Sequence, residues 1–526
     1  MFMQKTLIYI IIILCFSILF ISSGASSTKE FFNKIRSLSQ VVKLVENYYV
    51  EDVDMDELID GSIRGLLETL DPHSSYITSE EIKKVNENMK GEFEGIGIEF
   101  SMLDGYITVI SPIPGTPSDR AGLLSGDKIV KINGESAYKI KTAEIVKKLR
   151  GPKGTAVNVT IKRSGIENFD ITLIRDKIPI NSVLAALLYN HKTGYVLINR
   201  FGEKTFHEVD AAIDSLKSLG MEQLVLDLRG NPGGAMTPAL DLLDTFINSN
   251  DTLLYTSGRI RSANNVYYAS KSRYDRTLPV IVLINRSSAS ASEIVAGGLQ
   301  DLDRGLIVGE TSFGKGLVQR QYTLQDSSAV RITIARYYTP SGRLIQRNFD
   351  ALDDYYLDLS KENREGQGSS RVDTLTYKTK KGRLVHGGGG ITPDIHITDD
   401  RYISKSTQSI LYSSERLLFK YANSIKNKYK GFKTFNDFNQ IAQNKMFDSS
   451  DFFKWLKKQL IDTEETKLEY NEDSLLLNWD LINNRIESEI AANLWGKDYR
   501  YYIRLHVDKQ FQTALDNFSL AKSFVE

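Results

Sequence analysis

Downstream of Pro179, four short runs, Tyr195–Ile198, Gln223–Leu228, Val280–Ile284 and Leu306–Val308, are apolar and rich in β-branched residues, and stretches of helical character separate them. Apolar runs of strand length without polar alternation are strands buried on both faces, and strands that alternate with helices build a parallel sheet under helical cover. An α/β core follows. Between the first two runs, a capping box from Thr205 to Glu208 opens a predicted helix whose apolar stripe is Phe206, Val209, Ile213 and Leu216.

Other textures flank this core. From Phe31 to about Lys90, Phe31, Ile35, Leu38, Val42 and Val45 recur at helical spacing, as do Ile59, Ile63, Leu66 and Leu70, which predicts two amphipathic helices. After Gly91 the runs Tyr106–Ile110, Lys128–Ile132 and Ala156–Lys162 alternate with Gly and Pro punctuation, predicting a small β-rich domain with one helix near Thr142–Leu149. Asp350–Lys381 is polar without periodicity and reads as a long loop or insertion. From Ile403 helical spacing returns, clearest at Ile482, Ile486, Ile490 and Leu494, and predicts a packed helical appendix with no chemistry of its own. The expected divisions are 1–25, 29–90, 91–175, 176–400 and 401–526.

The composition, 41% hydrophobic and 25% charged with 11 prolines in 526 residues, excludes a disordered chain and a multi-span membrane protein. Lys plus Arg and Asp plus Glu are both 66, so no bulk charge drives the chain toward nucleic acid or anionic lipid. The single cysteine, Cys15, leaves the body without disulfides or thiolate metal sites. Lys5 precedes an uncharged stretch, Thr6–Thr28, whose apolar part ends at Ile21 before the small residues Ser22–Ser26. That is the pattern of a signal peptide, with an uncleaved anchor as the alternative, and both place the body outside the cytoplasm, in the periplasm or cell envelope.

Three segments can carry chemistry. Asn285-Arg286-Ser287-Ser288-Ala289-Ser290-Ala291-Ser292-Glu293-Ile294 runs from a buried strand into helix-forming residues, where a serine has a helix N-terminus behind it to hold an oxyanion. The competing reading is a set of helix-capping serines. Lys315, in Gly314-Lys315-Gly316, has largely apolar neighbours, and desolvation lowers a lysine toward use as a general base. A surface lysine in a glycine turn is the alternative. Gln319 falls on the same face four residues later and is placed to orient the amine. Asp227–Gly234 follows another buried strand, and Gly233 and Gly234 can present N–H groups without side-chain obstruction, or simply make a turn. The six histidines show no metal-pair spacing, although a histidine triad is not excluded by counting them.

Taken with Asp71–Tyr76, Gly95–Ile98, Ala121–Leu123, Gly126-Asp127, Tyr337–Gly342 and Gly388–Asp394, these segments resemble the carboxyl-terminal processing peptidases, or tail-specific proteases, over roughly Val41 to Ile397. The resemblance implies a multidomain α/β protein: a PDZ domain at 91–175, a crotonase- or ClpP-like β-β-α peptidase core at 176–400, and helical segments at both ends. It implies Ser290 as nucleophile, Lys315 as general base, Gln319 as its positioning residue, and oxyanion donors at Ala291 and one of Gly233 and Gly234. It also implies a peptide-carboxylate loop at Gly95, Ile96, Gly97 and Ile98, and gating by the PDZ domain. Proteins or peptides with exposed C-terminal tails are the expected partners, a homo-oligomer and an N-terminal membrane tether are further expectations, and neither nucleic acid, metal nor other cofactor is expected. Two readings from other classes stand beside it: a catalytically silent PDZ scaffold that binds C-termini, and an acyl-CoA enzyme of the crotonase type.

Overall fold

The computed structural model describes residues 29–247, 250–270, 278–349, 375–443, 447–461 and 470–526. The predicted secretion segment at 1–25 lies outside them, as does most of the 350–381 insertion. What is described of that insertion is not all loop, because Thr376–Lys378 pairs antiparallel with Leu384–His386. Among the described residues no helix is long and apolar enough to cross a membrane.

The chain forms two compact units. The first holds helix 29–48 and helix Met55–Glu68, the latter capped by Asp54, whose carboxylate accepts from the N–H groups of Asp56 and Glu57. Its strand Ser75–Ile77 pairs with residues 329–331. A third helix, Ser79–Lys90, begins the second unit, so the 29–90 region has three helices where periodicity predicts two. Its polar sequence, Ser-Glu-Glu-Ile-Lys-Lys-Val-Asn-Glu-Asn-Met-Lys, buries no side chain fully and offers too narrow an apolar stripe to be noticed.

In the second unit, the β-rich region is a sheet in the order Ile98–Leu103, Tyr106–Pro112, Lys128–Ile132, Ala156–Lys162, Phe169–Ile174, with Glu135–Ser136 beside the third strand. Its core is Ile96, Ile107, Val109, Leu123, Ile129 and Ile145, the last from helix Thr142–Leu149. Ile98–Leu103 ends the sheet, so its outer edge is unpaired within it.

The predicted α/β core is a six-stranded sheet in the order Val183–Tyr189, Thr193–Ile198, Gln223–Asp227, Val280–Ile284, Leu306–Gly309, Ile395–His396. Only the first pair is antiparallel. One face packs against helices Thr205–Ser218, Met236–Asp244 and Ala291–Asp301, through Val209, Ile213, Leu243, Ile294 and Val295. The other face, Ala185, Tyr195, Val225, Ile281 and Val308, is covered by Phe511, Ala514, Phe518 and Ala521. These come from helices Lys509–Asp516 and Phe518–Lys522, so the appendix completes the second cover that doubly buried strands require. A separate appendix core includes Phe438, Phe452, Ile482, Ile486, Ile490 and Ile503.

The Thr205–Glu208 capping box does not form. Lys204 is the N-cap, the Thr205 hydroxyl accepts from the Gly202 N–H, and Glu208 accepts from the N–H groups of Ser182 and Val183. A neighbouring strand end with unsatisfied donors outcompetes the helix's own first turn.

Candidate active site

Ser290 occupies the turn between strand Val280–Ile284 and helix Ala291–Asp301, with φ +55° and ψ −112°. A non-glycine residue held there is strained, and such strain persists where the surroundings over-determine it. Every residue of the following helix is buried. The neighbouring serines are occupied structurally: Ser288 Oγ donates to the Leu228 carbonyl and Ser292 Oγ to that of Asn231. Capping falls on Ser290 itself, the N-cap of this helix, whose N–H Glu293 accepts in a capping box.

Glu293, fully buried one turn into the helix, joins this turn to the lysine loop. One carboxylate oxygen accepts from the N–H groups of Ser290 at 2.7 Å and Lys315 at 2.9 Å. The other accepts from the Ser312 hydroxyl at 2.5 Å and the Gly314 N–H at 2.7 Å. Burial pushes its carboxyl above the ordinary range, and these donors pull back toward the anion. On the opposite side, the buried Tyr337 hydroxyl lies 3.1 Å from the Ser290 carbonyl and 2.6 Å from that of Lys315. Burial, with the Glu293 charge added, holds this phenol well above its usual range, so it remains a donor.

Lys315 Nζ donates to Gln319 Oε1 at 2.8 Å. Gln319 lies on strand Leu317–Thr323 and Lys315 in the loop just before it, so it is the hydrogen bond that shows the two side chains meeting. The flanking glycines are sterically required: a Cβ on Gly314 would lie 2.5 Å from Arg347 Cγ, and one on Gly316 2.9 Å from the Gln346 backbone nitrogen.

The Asp227–Gly234 loop is stitched to the serine turn. The Asn231 carbonyl accepts from the Ala289 N–H as well as from Ser292, and its side chain accepts from the Gly233 N–H. A Cβ on Gly233 would fall 2.8 Å from Ser290 Cβ and 2.9 Å from the Ala291 nitrogen. The Gly233 N–H is thus occupied by the Asn231 side chain. The Gly234 and Ala291 N–H groups have no protein acceptor among the described residues. Upstream, Arg229 is clamped by Asp227 and Asp508: its Nη1 and Nη2 reach the Asp508 oxygens at 2.9 and 2.7 Å. Burial opposes this guanidinium's charge, and the two carboxylates more than offset it, holding it well above its usual range.

Peptidase family S41 matches residues 192–355, a PDZ domain residues 108–163, and the N-terminal domain of the activating protease CtpB residues 19–81. The carboxy-terminal processing protease CtpA of Bacillus subtilis is 35% identical over 375 residues, covering 68% of this chain and 80% of its own length. The carboxy-terminal-processing protease of Bartonella bacilliformis is 40% identical over 332 residues, covering 62% and 75%. The chain belongs to the carboxy-terminal processing proteases. It is a serine peptidase with a PDZ domain, and the silent-scaffold and acyl-CoA readings fall with that membership.

In this processing protease the loop Gly95–Ile98 points its carbonyls inward. Ile96 accepts from the N–H and hydroxyl of Ser118, and Gly97 from the Ile113 N–H and the Thr116 hydroxyl. The Ile96 and Gly97 N–H groups have no protein acceptor among the described residues, and the open edge strand begins at Ile98. Only glycine fits at 97, where φ is +83° and a Cβ would meet Thr116 at 2.3 Å.

Sequence reasoning missed Glu293, Asn231 and Arg229. Each lay inside a quoted segment, but a carboxylate at the third helical position signals a cap, and nothing local reveals which loops it joins. Among the described residues no cluster of His, Cys, Asp and Glu is placed to hold a metal ion.

Proposed function

We propose that Ser290 is the nucleophile and Lys315 the general base of this peptidase. The carrying observation is the Glu293 carboxylate, which fixes the Ser290 and Lys315 main chains against one another while Gln319 holds the amine. Ser290 Oγ attacks a peptide carbonyl as Lys315, in its amine form, takes the hydroxyl proton. The oxyanion is held by the N–H groups of Ala291 and Gly234. The C–N bond breaks as the lysine ammonium protonates the leaving amine. Water, deprotonated by the same amine, then attacks the ester and releases the new C-terminus and the serine.

The substrates are proteins and peptides with exposed C-terminal tails. The N–H groups of Ile96 and Gly97 receive the terminal carboxylate, and the tail adds a strand along Ile98–Leu103. The divisions at 29–90, 91–175, 176–400 and 401–526 assign these roles to a helical segment, reader, peptidase and appendix. The body lies outside the cytoplasm, in the periplasm or cell envelope, carried there by 1–25 as a signal or a membrane tether. Exposed Phe31, Ile35 and Leu38 on helix 29–48 favour a homo-oligomer.

Single-turnover cleavage of an unfolded-tail substrate tests the core of this reading. Ser290→Ala and Lys315→Ala should each lose at least about 10³-fold in rate. Retained cleavage in Ser290→Ala would sink it.

A further inference from the structure

Away from Ser290, between the sheet face that carries Tyr195 and the helical appendix, lies a cavity of about 620 Å³. Its wall carries five arginines, Arg229, Arg401, Arg416, Arg485 and Arg504, against four carboxylates, Asp227, Asp399, Glu489 and Asp508. Three of these carboxylates are committed to arginines other than Arg485 and Arg401. Asp227 and Asp508 hold Arg229. Glu489 is shared by Arg500 at 3.1 Å and Arg504 at 3.2 Å. Asp399 reaches Arg401 only at 3.9 Å, and Arg416 faces Glu99 of the PDZ domain at 3.6 Å.

Arg485 is left over. It projects from the middle of helix Trp479–Trp495, lines the cavity, and has no carboxylate within ion-pair distance among the described residues. Burial holds its guanidinium below the ordinary value; Asp508 and Glu489 offset this from a distance, and the charge of Arg401 adds to it. A half-buried guanidinium with five donors and no carboxylate partner is costly, and the deficit opens onto space able to hold an anion.

We propose that this cavity binds a small organic polyanion, a di- or tricarboxylate or a phosphate ester, whose charge is taken by Arg485 and Arg401. Guanidinium forks match carboxylate and phosphate oxygens in pairs, which selects oxyanions over halides. The volume lies within the range of small-molecule pockets and far exceeds a bare ion. Leu411, Tyr412 and Tyr501 supply apolar wall for the ligand's carbon frame. The Arg229–Asp508 pair is part of the same wall, so an occupant touches the anchor of the oxyanion loop without entering the catalytic cleft.

Calorimetric titration of the full chain carrying Ser290→Ala, at low ionic strength, tests the site with citrate and separately with inorganic phosphate. Saturable one-to-one binding is expected, weakened at least tenfold in Arg485→Gln, whose unliganded melting temperature should be unchanged or raised because repulsion with Arg401 is relieved. Arg401→Gln provides the same readout should the first variant fail to fold. Tighter citrate supports a carboxylate ligand, and tighter phosphate a phosphate ester. No saturable heat from either probe, or affinities unmoved by both substitutions, overturns the proposal.

Discussion

Two turns with the same topology are anchored differently. The Asp227–Gly234 loop and the Ser290 turn leave adjacent parallel strands, with Asp227 opposite Leu283, and both lead into helices packed on one sheet face. The Ser290 turn is secured from within: Glu293, on its own helix, accepts four hydrogen bonds from uncharged donors deep in the core. The glycine loop is tied to the serine turn through Asn231 and is held from outside as well, through Arg229 and a carboxylate 279 residues away in the appendix. On the proposed roles, the Ser290 nucleophile and the Ala291 donor are held within the core, whereas the Gly234 donor also depends on a second layer staying docked.

The inner anchor should be the costlier to break. Glu293→Ala leaves four buried donors without an acceptor and is expected to cost about 3–5 kcal/mol with at least a hundredfold loss of kcat, read by calorimetry and cleavage of a tailed substrate. Native-like melting and activity in that variant would remove the asymmetry altogether.

The outer anchor should fail on acidification. His506 packs beside Tyr189 and Tyr502, its Nε2 is buried without a hydrogen-bond partner among the described residues, and burial pulls its pKa from 6.5 down to about 4. The unfolded chain therefore binds the extra proton first. The contribution is whole above pH 6.5 and is lost as pH falls toward 4, to at most about 3 kcal/mol. Melting temperature across that window should fall less steeply in His506→Phe.

A smaller effect follows from Asp508→Asn, which leaves Arg229 paired with Asp227 alone. About a tenfold drop in kcat with KM little changed is expected on short peptides. Combined with Glu293→Gln, the two effects on stability should add, because the anchors share no partner; coupling above about 0.5 kcal/mol would show one network instead of two. Smallest at the catalytic centre is Gly97→Ala, which forces a Cβ into Thr116. It should weaken capture of tailed substrates and leave short-peptide cleavage unchanged.

What the sequence disclosed divides along the same line. Val280–Ile284, Lys128–Ile132, Ala156–Lys162 and helix Thr142–Leu149 were legible to the residue, because their apolar periods report burial directly. Ser290, Lys315 and Gln319 were singled out by local signals, strand ends, glycines and a four-residue spacing, and the structure joins the last two by a hydrogen bond. Glu208 was misread and Glu293 unread for one reason: the acceptor's role depends on donors brought to it by tertiary structure. The appendix was seen as helical, but neither its cover over the sheet nor the Arg229–Asp508 pair has any local trace.

That pair also sets an order in time. A ribosome makes Ser290, Ala291, Lys315 and Gly234 long before Asp508, so a growing chain holds every group proposed to react while its glycine loop lacks its clamp. On the proposed roles, full cutting power arrives only after the appendix has docked, and a half-made copy is a poor threat to its neighbours or to itself.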